Sequence, residues 1–112
     1  MDKGTIVLVR FPFTDYTSVK LRPALIISVH NKKDVCVAFI SSVIPFEFEE
    51  TDYFLTKASL DFSWTGLRKE SVFRMKKIAT VDCNLVVGKL GMLSENLQQI
   101  IDQKLKRGLG LL

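Results

Sequence analysis

The chain has 112 residues, 47% of them hydrophobic, with a formal net charge of +4 and a pI near 9.2. That length suits one domain, residues 1–112, with a single core burying roughly two thirds of the unfolded surface. Its apolar content exceeds what a monomer needs, so a homodimer is expected. No apolar run reaches the roughly 18 residues of a membrane span, and Met1-Asp2-Lys3 leads into a strand pattern rather than a signal peptide, so the expected location is the cytoplasm.

Residues 5–11 (TIVLVRF), 24–29 (ALIISV) and 35–40 (VCVAFI) are β-branched or aromatic runs of strand length bounded by Gly, Pro or polar turns. They are predicted to be three central strands. Between the first two lies a polar loop holding Pro12, Thr14, Asp15, Thr17 and Ser18, followed by Lys20-Leu21-Arg22-Pro23. The short connection Asn31-Lys32-Lys33-Asp34 predicts an antiparallel hairpin between the second and third. Tyr53–Thr56, Ser71–Met75, Ile78–Val81 and Leu85–Leu93 are shorter segments with one-sided burial, and the spacing indicates an all-β barrel or sandwich. The end differs. Ser94 is a plausible N-cap, Glu95 sits in the first turn, and Leu97, Ile100, Ile101 and Leu105 recur at helical spacing before Lys106, Arg107 and Gly108. One amphipathic helix is predicted there, packed on the barrel or on a partner.

Metal catalysis is not expected, because His30 is the only histidine and no carboxylates or thiols fall at ligand spacing. His30 ends a strand run and suits a turn or surface role better than proton transfer. Cys36 and Cys83 form no disulfide framework and should be reduced. Glu47, Glu49, Glu50 and Asp52 read as a solvated acidic loop rather than a catalytic cluster. Arg22 is different. Pro23 pushes it toward an extended conformation at a strand entrance, where its guanidinium offers a bidentate fork to a phosphate, although a generic surface arginine is an equal reading. Ser41 and Ser42 close the third run, where hydroxyls are usually turn formers, and Arg74 interrupts an alternating stretch. On one rim, Arg22, Ser41 and Arg74 would hold a phosphate. Phe11, Phe13, Tyr16 and Phe46 could stack bases, with core packing the commoner role for strand aromatics.

The segment GTIVLVRFPFTDYTSVKLRPALIIS (residues 4–28) resembles the N-terminal signature of the MazF/PemK/Kid family of toxins from bacterial toxin–antitoxin modules. Val37–Ser42, Gly66-Leu67 with Ser71–Arg74, and Ile78–Asp82 with Lys89-Leu90-Gly91 are similar to the family's later blocks. The resemblance implies a mainly β fold, a small SH3-like antiparallel barrel of the CcdB/PemK type with a C-terminal α-helix. It also implies a dimer acting as a sequence-selective, metal-independent and cofactor-free endoribonuclease on single-stranded RNA, restrained by an antitoxin. Carried over by position, Arg22, Ser41 and Arg74 are the expected catalytic residues. Thr14, Asp15, Thr17 and Ser18 in the first loop, with Lys20, Ser42 and Lys76, are the expected RNA-binding ones. Lys76 stands where some members carry an acid, and Ala79 where many carry arginine. The alternative is a non-catalytic binding protein on the same fold, either like the gyrase inhibitor CcdB or a member that binds RNA or antitoxin without turnover.

Overall fold

The computed structural model describes residues 1–11 and 20–111. The elements in chain order are β1 (Thr5–Phe11), β2 (Lys20–Val29), β3 (Asp34–Ser41), β4 (Asp52–Leu55), α1 (Phe62–Thr65), β5 (Ser71–Asp82), a 3-10 turn (Cys83–Leu85), β6 (Val86–Met92) and α2 (Glu95–Gly108). The six strands form one antiparallel sheet in the order β4-β5-β3-β2-β1-β6, with the three predicted central strands all interior. The hairpin turn is fixed by Asn31, whose Oδ1 accepts from Lys33 N at 2.7 Å and Asp34 N at 2.8 Å.

The chain path rolls this sheet into a barrel. β5 and β6 are separated by β3, β2 and β1, about 19 Å in a flat sheet at ordinary strand spacing. The chain nevertheless passes from Asp82 to Val86 through three residues, which span at most about 14 Å. The sheet must therefore curl until the two ends approach, and ladder irregularities at Ile6/Val7, Leu8/Val9, Ile26/Ser28 and Ala38/Phe39 supply local bends.

Both faces of the central strands are covered, which is why their sequences are continuously apolar rather than alternating. On one face Ile6, Leu25, Ile40, Phe73 and Met75 pack with Leu97 and Ile101 of α2. On the other, Val7, Val9, Ala24, Ile26 and Val37 form a second cluster with Val81. α2 begins as predicted: Ser94 Oγ accepts from Leu97 N at 3.1 Å. Its stripe is split, with Leu97 and Ile101 buried and Ile100 exposed.

Two features differ from the sequence reading. Ser71–Met75 and Ile78–Val81 are one twelve-residue strand, interrupted between Arg74 and Ile78 by a bulge that carries the exposed Lys76 and Lys77. The short helix α1, too brief for a periodic signal, ends at Gly66 in the left-handed region (φ 70°) and lies against β6. There Gly91 passes so close that an added Cβ would run into Trp64 O and the Thr65 carbonyl. Gly91→Ala is expected to cost about 1–3 kcal/mol, because the obstructing atoms are backbone and cannot swing away. A lowered urea midpoint with an unchanged m-value would register it.

Candidate functional site

The site begins with Pro23. The ladder between β2 and β3 runs up to Ala24 opposite Phe39 and stops one residue short of Pro23, which has no N–H to give it. Beyond that point, among the described residues, Lys20–Pro23 pair with β1 alone and Ile40 and Ser41 with β5 alone. The two strands part, and a cleft of about 350 Å³ opens between them, lined by Lys20, Arg22, Ser41, Ser42 and Val43. Arg22 is the third residue of β2, exposed, and opposite Val9 on β1. Ser41 is half-buried, and its Oγ accepts from Val43 N at 3.1 Å. It is thus a turn former, as hydroxyls at strand ends usually are, yet among the described residues no acceptor takes its own O–H, which can donate into the cleft.

Arg74 joins the same face by register. Directly opposite residues of antiparallel strands share a face, and two rows cross the sheet side by side. One row runs Asp52, Arg74, Phe39, Ala24 and Val7. The next has Phe54, Val72 and Ser41, then Arg22 across the split. Arg74 is the diagonal neighbour of Ser41, about 7–8 Å away along the backbone and within reach of a long side chain. Arg74 Nε faces Asp52 Oδ1 at 3.5 Å, with the two side chains 27% and 2% exposed. The separation makes an ion pair, and it is too long for an ordinary hydrogen bond.

Asp52 is the residue that the sequence reading missed, having grouped it with a solvated loop. It is instead buried at the start of β4, and its Oδ2 accepts from Glu49 N at 2.9 Å. Glu50 is also engaged: its carbonyl accepts from Lys104 Nζ at 2.9 Å and its carboxylate pairs with Arg107, tying the loop to α2. A register between a four-residue strand and a distant arginine leaves no signal in a single sequence.

The other expected residues fall in several places. Thr14, Asp15, Thr17 and Ser18, with Phe13 and Tyr16, lie outside the described residues. Lys20 and Ser42 are exposed in the cleft. Lys76 is not gathered with them: it sits in the β5 bulge, and its Cγ lies beside Gly108 at the end of α2. Phe11 packs against Phe39 in the second cluster (centroids 5.1 Å apart), whereas Phe46 is fully exposed. Phe48 stacks on Phe54 at 5.2 Å beside the second row. His30 meets the Ser28 hydroxyl, Nε2 to Oγ 3.1 Å, at the surface. Behind the site Tyr53 packs edge-on to Phe73, its phenol pushed above its ordinary value by burial and then by the charge of Asp61.

A second cleft of about 490 Å³ shares Pro23 and Ser42 with the first and adds Arg68 and Lys69. Together they place four cations around the point where β2 and β3 separate. This arrangement can hold an anionic chain, with a hydroxyl donor at its centre.

The chain matches the family described as PemK-like, MazF-like toxin of type II toxin–antitoxin system over residues 2–109. Its fold is similar to that of an endoribonuclease in complex with its cognate antitoxin from a mycobacterial species, with TM-score 0.76, 18% identity and coverage of 100% of this chain and 97% of that one. It is similar also to the Mycobacterium tuberculosis toxin MazF-mt6, with TM-score 0.73, 18% identity and coverage of 96% and 97%. An endoribonuclease from a mycobacterial species gives TM-score 0.71 at 18% identity, covering 99% of this chain and 92% of that one. At such identity the likeness speaks for the fold. No curated protein matches the sequence significantly.

Proposed function

Because the chain belongs to the PemK-like, MazF-like toxins of type II toxin–antitoxin systems, we propose that it is an endoribonuclease that cuts single-stranded RNA, without a metal ion, in the cleft where β2 and β3 part. The observation that carries this reading is the cleft itself, with Arg22 and Ser41 on its two walls and Arg74 on the same face. The expected reaction is transfer of the phosphoryl group to the neighbouring ribose 2′-hydroxyl. That oxygen attacks phosphorus, the bond to the 5′-oxygen breaks, and the products carry a 2′,3′-cyclic phosphate and a 5′-hydroxyl.

Charge grows on the equatorial phosphate oxygens during this step, and positioned cations lower its barrier. Arg22 supplies a planar fork from the β2 wall, Ser41 donates its O–H from the β3 wall, and Arg74 adds a second guanidinium. Arginine stays protonated at working pH, so its part is charge stabilisation rather than proton abstraction. Lys20 and Ser42, with the first loop, hold the flanking nucleotides.

The same cations suit an acidic, partly disordered antitoxin segment that folds as it covers the cleft. Exposed large side chains, among them Val43, Phe46 and Trp64, favour a homodimer, and the setting is the cytoplasm. To test the reading, purified protein is incubated with a long single-stranded RNA in excess chelator, beside the same sequence as DNA. RNA fragments with intact DNA are expected. Growth arrest that survives Arg22→Ala, with RNA left whole, would move the protein to the non-catalytic binding class.

A further inference from the structure

Asp52 is the least exposed carboxylate among the described ion pairs and faces one of the arginines of the proposed site. We propose that Asp52 is a positioning residue, holding the Arg74 guanidinium by its Nε so that the terminal nitrogens are presented to the phosphate beside Ser41. This inference rests on the endoribonuclease reading for its catalytic consequence, and on geometry alone for the pairing.

Three observations support it. First, β4 is only four residues long, and its register sets Asp52 directly opposite Arg74, so the backbone brings the two together before either side chain chooses a rotamer. Second, the carboxylate is fixed at its other end, because Oδ2 accepts from Glu49 N at 2.9 Å and leaves Oδ1 toward Arg74. Third, Asp52 Oδ1 and Arg74 Nε are both buried and, among the described residues, neither has a hydrogen-bond partner, so the 3.5 Å ion pair is what each has. Each is the other's only compensation for leaving water, which makes the pair costly to break and hence restrictive. Arginine has five N–H donors in a rigid fork; an ion pair at the Nε edge restricts the swing of that fork and leaves the terminal pairs for a phosphate. A lone arginine on this face would sweep many rotamers, and a mobile cation stabilises a transition state less than a fixed one.

The test combines Asp52→Asn, which keeps the shape and removes the charge, with Arg74→Gln and the double variant. Asp52→Asn is expected to lower kcat for RNA cleavage about tenfold to a hundredfold, less than loss of a cation that touches the phosphate, while KM moves less than about threefold. In the Arg74→Gln background the same change should alter the rate less than about twofold, because its effect passes through Arg74. Effects that multiply in the double variant would overturn the proposal, as would an unchanged kcat in folded Asp52→Asn.

Independently of cleavage, the Arg74 Nε–H proton should exchange slowly by NMR in the wild type and lose that protection in Asp52→Asn. If Asp52→Asn does not fold, the wild-type spectrum decides: a slowly exchanging Nε–H supports the pair and a rapidly exchanging one overturns it. RNA left intact by the wild type with a protected Nε–H would remove the endoribonuclease reading, and with it the catalytic role of Asp52, but not the pair.

Discussion

Replacing Arg22 by alanine is expected to slow RNA cleavage by about a hundredfold to a thousandfold while the protein stays as stable as before. The first figure is the usual loss when one preorganised donor to a developing oxyanion is removed. The second half follows from position. Arg22 is exposed on β2, its backbone pairing with Val9 does not depend on the side chain, and surface substitutions of this kind usually stay within about 0.5 kcal/mol. Arg22→Lys should recover only part of the rate, because a point charge replaces a planar fork. Lys20→Ala should act mainly through KM, since Lys20 sits at the edge of the cleft and serves RNA binding in this account. Initial rates with each variant, beside thermal melts of the same samples, check all three. An Arg22→Ala protein that cuts at the wild-type rate would remove Arg22 from the mechanism.

The largest effect on stability should come from Phe73→Ala. Phe73 is fully buried between the sheet and α2, in the cluster that contains Met75, Leu97 and Ile101, with the Tyr53 ring edge-on at 6.3 Å. Truncation removes its apolar surface and leaves a cavity that the surrounding backbone cannot close, a loss of about 3–5 kcal/mol. A domain of this size has about 5–15 kcal/mol in all, so a fifth or more of its stability would go. Because Phe73 immediately precedes Arg74 and shares its strand, activity should fall well below the temperature at which the wild type loses it. Urea unfolding monitored by circular dichroism measures the difference.

Elements whose signals are local were readable from the sequence. The three central strands were apolar enough for length and turn chemistry to mark them, and Ser94 with the stripe Leu97, Ile101 and Leu105 marked α2. Where the signal depends on distant partners, the reading fell short. Lys76 and Lys77 split the pattern of β5 because they form a bulge, and polar residues in a bulge cannot be told from the end of a strand. Asp52 looked like one more acid in a polar loop because its burial depends on the register of β4 against β5. Arg22 was legible as an extended arginine beside proline. That Pro23 ends the β2–β3 ladder, and so opens the cleft facing Ser41, depends on which strand lies alongside.

The proposed transfer of a phosphoryl group to the ribose 2′-hydroxyl in this cleft needs no metal ion. Its most direct test is the chemistry of the cut ends, read by mass spectrometry after the protein has acted on a single-stranded RNA in excess chelator. The expected outcome is 5′-hydroxyl and 2′,3′-cyclic phosphate termini, and no cut at a site whose nucleotide on the 5′ side of the scissile phosphate is 2′-deoxy. Cleavage that needs added metal, 5′-phosphate termini, or intact RNA beside folded protein would contradict it.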